Sequence, residues 1–177
     1  VLSPLSGVEI TGELSRWGKV TLTFKGPQLE EKDPDTFMNH RLEVEFVNGD
    51  SVVKIPGFFA ADGNAARSHA RAGNQWRVHF TPHRSGTWTY QATFVRGPKV
   101  AIDPHLPGKK IPLENARGTI QIAKVRSDRA PSDFRSQGIL EYVGKRYLQF
   151  AGSKEYFLKG GARSEEHTSE LQSLLII

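Results

Sequence analysis

Alternation of apolar and polar residues recurs along most of this chain and leaves it few folds to adopt. In "KVTLTF", Val20, Leu22 and Phe24 fall on one side, and Thr21 and Thr23 on the other. "RLEVEF" sets Leu42, Val44 and Phe46 against Glu43 and Glu45. "QWRVHFTP" groups Trp76, Val78 and Phe80, "TWTYQATF" groups Trp88, Tyr90, Ala92 and Phe94, and "TIQIAKV" adds Ile120 and Ile122. A period of two belongs to a strand with one buried face, because successive side chains point to opposite sides of a sheet. Turn signals punctuate these runs: "NGD" at 48–50, "ADGN" at 61–64 and "PHRSG" at 82–86. Short strands with one apolar face each, and no sustained helical period, predict two antiparallel sheets packed face to face. The expected fold class is therefore all-β, an immunoglobulin/fibronectin-like antiparallel β-sandwich over residues 8–125.

Beyond it, "RSDRAPSDFRSQG" at 126–138 is polar and lacks an apolar period, so it reads as a linker. Candidate strands then follow at Ile139 to Tyr142, Arg146 to Phe150 and Tyr156 to Lys159. They read as the start of a second domain over 139–162, with too few residues to enclose a core of its own.

The 177 residues allow one sandwich-sized domain plus a fragment of another. Three Trp and ten Phe supply enough large apolar surface to argue against disorder. The absence of cysteine removes disulfides, thiol nucleophiles and thiolate zinc sites, without fixing a compartment. The net charge of +5 is scattered through loops and strands, with no basic helix or RNA-binding signature, so no nucleic-acid partner is expected. No run approaches the roughly 18 consecutive apolar residues of a membrane span. The chain starts at Val1 and its one Met is Met38, so the natural start is expected upstream.

Trp76 and Trp88 alternate in phase with Val78, Phe80 and Phe94, which assigns them to the core rather than to an exposed sugar-stacking platform. Trp17, beside Gly18 and before a strand, reads either as a lid over the sandwich edge or as part of a ligand surface. In "KIPGFFAADGNA" the strand ends at Pro56, Gly57 permits a bend, and Asp62-Gly63 makes a turn. If extended, Phe58 and Phe59 point to opposite sides and one faces outward; alternatively the bend buries both. Trp17, Phe58, Phe59 and Asp62 form the candidate ligand or domain-docking surface.

No catalytic, metal or cofactor set is expected. His79 and His83 are four apart, but on a strand leading to a proline turn that spacing does not bring them to one face. Asp33, Asp35, Asp62, Asp103, Glu114 and Asp133 sit in turn-like stretches, with no pairing of the glycosidase kind legible. No Gly-x-Ser-x-Gly elbow or phosphate-cradling glycine loop is present.

The ordered set "RWGKVTLTFKGP", "FMNHRLEVEF", "KIPGFFAADGNA", "NQWRVHFTPHRSGTWTYQATF" and "RYLQFAGSKEYFLKGGA" resembles the N-terminal sandwich known as domain of unknown function 5060. The resemblance runs over most of Ser15 to Ala162. It implies a secreted or periplasmic bacterial protein in which the sandwich precedes a glycoside-hydrolase-like (β/α)8 barrel. On that basis the expected function is a non-catalytic accessory module that docks on the barrel of the same chain, with polysaccharide as a candidate ligand. The alternative is an independent adhesion or protein-binding module of collagen-binding type. No catalytic residue carries over, because the barrel's positions do not exist in this sequence. "RSEEHTSELQS", at 163–173, resembles a translated sequencing-library adapter, so residues 163–177 are expected to be an artefact rather than a terminal helix.

Overall fold

A computed structural model describes residues 8–125 and 133–158, which belong to two separate compact units. The tail at 163–177 and most of "FLKGGA" lie outside the described residues.

The first unit begins with β1 (Val8–Gly12), β2 (Val20–Glu30) and a short helix α1 (Pro34–Met38). A hairpin follows, β3 (His40–Asn48) and β4 (Ser51–Pro56), then β5 (Phe58–Phe59) and the single-turn α2 (Ala65–Ser68). The long strands β6 (Ala72–Phe80) and β7 (Gly86–Arg96) precede β8 (Lys109–Ile111) and β9 (Arg117–Ile122). All pairings between these strands are antiparallel, and an isolated parallel bridge joins Ser15 to Ala123. One sheet runs β1-β2-β6-β5. The other runs β4-β3-β7, with β9 and β8 sharing the far edge of β7. The unit is an all-β antiparallel sandwich.

Register explains why the apolar halves of the strands meet. Leu22 lies opposite Val78, Leu42 opposite Phe94, Phe46 opposite Tyr90 and Trp88 opposite Ile120, so each pair shares the inner face. Between the sheets Phe46 stacks on Phe80 at 4.1 Å, Phe80 meets Trp88 edge-on at 4.9 Å, and Trp76 meets Phe94 at 4.7 Å. Trp88 is completely buried and its indole N–H donates to the Arg84 carbonyl at 3.0 Å. The "NGD" turn closes the β3–β4 hairpin with Asn48 opposite Ser51, and Gly49 takes the positive φ of +60° that this tight loop requires.

Two features depart from the simple alternation. Thr21 and Thr23 lie on the outer face of β2, as their phase requires, yet are only 8% and 6% exposed. Long side chains from neighbouring strands cover them. The second departure is at 126–138, read from sequence as linker. Residues 134–136 form a 3-10 turn whose Phe134 packs on Phe150 at 5.5 Å and Phe157 at 5.9 Å. The part from 133 onward therefore belongs with the second unit. A single Phe in a polar stretch gives no periodicity, which is why the pattern hid it.

The second unit is a meander of β10 (Leu140–Tyr142), β11 (Leu148–Phe150) and β12 (Tyr156–Phe157). Among its described residues Phe150 is the one large apolar side chain fully buried, whereas Tyr142 is 75% exposed. So small a cluster fits the limits on what a three-stranded sheet can bury.

Candidate functional site

The bend at Ile55 to Phe59 carries the chain from one sheet to the other. Ile55 and Pro56 pair with β3 in one layer, and Phe58 and Phe59 pair with β6 in the opposite layer. Gly57 permits the crossing. Its N–H donates to the Leu42 carbonyl at 2.8 Å, and a Cβ at this position would lie 2.5 Å from Leu42 Cδ2. The two phenylalanines then part. Phe59 turns inward onto Trp76 at 5.5 Å, while Phe58 points to the outer face, 43% exposed, with its ring 5.1 Å from that of His79.

Beside this bend lies a cleft of about 230 Å³, lined by Phe37, His40, Arg41, Phe58, Phe59 and Trp76 among others. Helix α1 supplies Phe37. Asp33 caps the helix by accepting the Asp35 N–H at 2.9 Å, Pro34 starts it, and Thr36 anchors it by donating to the Glu30 carbonyl at 2.7 Å. Phe37 is thereby held 53% exposed and 6.3 Å from Phe59. The polar lining is committed to structure. Arg41 donates to the carbonyls of Val100 at 2.7 Å and Asp103 at 3.2 Å, and His40 Nδ1 lies 3.1 Å from the Asp35 carbonyl.

Phe58 connects the cleft to the outer face of the β1-β2-β6-β5 sheet. Across that face the register sets out one row of Glu9, Thr23, Arg77 and Phe58, and another of Thr11, Thr21 and His79. Arg77 Nε donates to Thr23 Oγ1 at 3.2 Å, and Thr21 Oγ1 lies 3.0 Å from His79 Nδ1. Burial, then the charges of Lys19 and Arg77, hold the His79 imidazole below its ordinary pKa and so favour its neutral form near pH 7.

Of the residues expected from sequence to form a ligand surface, Phe58 presents an open face and Phe59 lines the adjoining cleft. Asp62 has a structural role, accepting the Asn64 N–H at 2.8 Å to fix the turn. Hydrogen bonds from the Ser68 side chain and the Asn64 backbone lower its pKa, with the Arg77 charge a minor contribution. The following Gly63, at φ +81°, lies close against the Gln75 and Arg77 side chains. Trp17 is not joined to the open face. It is 6% exposed, its N–H donates to the Pro82 carbonyl at 2.9 Å, and the Arg16 guanidinium lies 4.5 Å over its ring. Trp17 is therefore a packed corner.

Phe37 and Arg77 were not singled out from sequence, and His79 was weighed there only with His83 as a metal pair. For Arg77 and His79 the signal was available, since both alternate with Trp76, Val78 and Phe80 and so must face outward; Phe37 lies in a stretch that reads as a turn. On the other sheet, depressions of about 340 and 400 Å³ centre on Gln91 and Arg117 and carry no exposed aromatic ring. Among the described residues no group of three or more His, Asp or Glu side chains converges as a metal site.

Residues 13–95 match the family model described as Domain of unknown function (DUF5060), covering the sandwich from Trp17 through most of β7. No curated protein matches. A crystal structure from Bacteroides vulgatus ATCC 8482, described as a "putative glycoside hydrolase", shares the fold with a TM-score of 0.50 and 18% identity. The match covers 83% of this chain and 22% of that one, so the chain spans about a fifth of its structural neighbour. The sequence is thus similar to the DUF5060 family from β2 to β7, and the fold has a counterpart in a protein described as a "putative glycoside hydrolase".

Proposed function

We propose that this chain is a non-catalytic accessory sandwich of a secreted or periplasmic glycoside-hydrolase-like protein, one that docks on a catalytic barrel of the same polypeptide and helps hold polysaccharide. The observation that carries the reading is the match of residues 13–95 to DUF5060, joined to a fold shared with part of a much longer protein described as a "putative glycoside hydrolase". The site chemistry agrees with it. An exposed ring beside guanidinium and imidazole groups suits a sugar, since apolar pyranose faces pack on aromatic rings and ring hydroxyls exchange hydrogen bonds with planar polar groups. The second domain is read as the entry to that barrel, and residues 163–173 as adapter-derived.

Incubating the purified chain with a panel of polysaccharides tests the catalytic part. Retention of soluble glycan without release of reducing ends is expected, and hydrolysis by the isolated chain would overturn it. Sequencing the genomic locus across the codon for Ala162 tests the rest, with an open reading frame encoding a barrel expected. The alternative, an adhesion module of collagen-binding type, rests on the exposed Phe37 and Phe58. Binding to protein that sugars fail to compete would favour it.

A further inference from the structure

The outer face of the β1-β2-β6-β5 sheet is built differently from a protein-docking surface. The cores of protein interfaces are apolar and depleted of charge. Here one apolar ring, Phe58, stands among Glu9, Thr11, Arg77 and His79, the last two lying over the buried hydroxyls of Thr23 and Thr21. Such a face suits a ligand covered in hydroxyls.

Arg77 narrows the ligand further. It lies directly across from Phe58 in the register, at a spacing of about 5 Å between paired side-chain origins, which a single pyranose ring can bridge. Its Nε is taken by Thr23, but its remaining guanidinium N–H groups meet no acceptor among the described residues. Glu9, the nearest acid along the row, forms no ion pair with it, and the Asp62 carboxylate is engaged by its own turn. Lys19 and Lys25 continue the outward phase of β2 and add positive charge, while His79 stays largely neutral and can donate or accept.

From this we infer that the sheet face binds an acidic polysaccharide, with a uronate ring packed on Phe58 and its carboxylate on the free edge of the Arg77 guanidinium. The inference rests on the accessory reading above and sharpens it to one class of sugar. A planar guanidinium forms paired, charge-assisted hydrogen bonds to a carboxylate, and a neutral ester cannot accept them with equal strength.

The test is a binding titration of the full chain with polygalacturonate and with the same polymer fully methyl-esterified. Binding about tenfold tighter to the acid form, weakening as salt rises, is expected. Phe58→Ala should reduce binding to both polymers, whereas Arg77→Gln should remove the preference between them. Arg117→Gln, on the other sheet, should leave both unchanged. Thermal unfolding of each variant shows whether it remains folded, and salt dependence in the unmodified protein tests the charge contribution without any substitution. Equal binding to the two polymers, lost in Phe58→Ala, would overturn the acidic-sugar inference and leave polysaccharide binding standing. An unchanged preference in folded Arg77→Gln would overturn it as well. Failure to bind both polymers would overturn it too, and the accessory reading would fall with it only if a panel of neutral glycans also failed.

Discussion

Phe58 and Phe59 are chemically identical neighbours whose replacement by Ala should have unlike effects on stability. Removing a fully buried Phe costs about 3–5 kcal/mol. Phe59 is partly covered, and its ring contacts Trp76 at 5.5 Å and Phe37 at 6.3 Å. Each such aromatic contact contributes about 0.5–1.5 kcal/mol beyond area burial. Scaling the burial down and adding these contacts back gives about 2–3 kcal/mol for Phe59→Ala. Phe58 is 43% exposed and rests on His79 from outside, so Phe58→Ala should cost less than about 1 kcal/mol. Urea unfolding followed by tryptophan fluorescence resolves the difference, because a slope of about 2 kcal/mol per molar places the Phe59→Ala midpoint about 1 M lower. Equal losses, or a larger one at Phe58, would show that the bend does not direct the rings to opposite faces. Combining Phe59→Ala with Phe37→Ala should give a loss smaller than the sum of the singles by about 0.5–1 kcal/mol, since the two rings touch.

Trp88→Ala should destabilise the sandwich by about 3–5 kcal/mol, read by denaturant titration, and a loss below about 1 kcal/mol would contradict its complete burial. Gly57→Ala should cost about 1–3 kcal/mol and broaden the Phe58 and Phe59 NMR resonances, because the added methyl must displace Leu42; unchanged stability would mean that the crossing has room to spare. In an NMR titration His79 should protonate below its ordinary value of about 6.5, and Arg77→Gln should raise that midpoint. The sign for stability follows. A depressed folded-state pKa means that the unfolded chain binds the proton first, so the contribution of neutral His79 is present above about pH 6.5 and is lost as pH falls through the folded pKa. A His79 midpoint above 6.5 would refute the effect of burial and of its cationic neighbours.

The inner face of the sandwich was legible because it is periodic. Every residue that the alternation placed inside between Val20 and Ile122 is buried, and the turn signals fall between the strands they were expected to separate. What escaped was short or aperiodic. A two-residue strand such as β5 has no period, and "DPDTF" reads as a turn even though Asp33 and Pro34 give it the start of a helix. Phe134, alone in a polar stretch, gave no sign of its partners Phe150 and Phe157. The candidate site was half visible for a related reason. Alternation says that Arg77 and His79 face outward, but which side chains they meet there depends on register across three other strands, and register is a property of pairs rather than of one sequence segment.

The crossing at Gly57 gives the sandwich a strap. Two packed sheets are otherwise tied by side chains and by loops at their ends, so sliding one over the other chiefly rearranges inner-face contacts. Here five consecutive residues are hydrogen-bonded into both layers, with the Leu42 carbonyl holding the middle of the span. A slip between layers would pull on this span, and Phe58 sits at its end. Fluorine labels on Phe58 and Phe59 would separate a movement of the layers, which shifts both rings, from a change confined to the outer face, which shifts Phe58 alone.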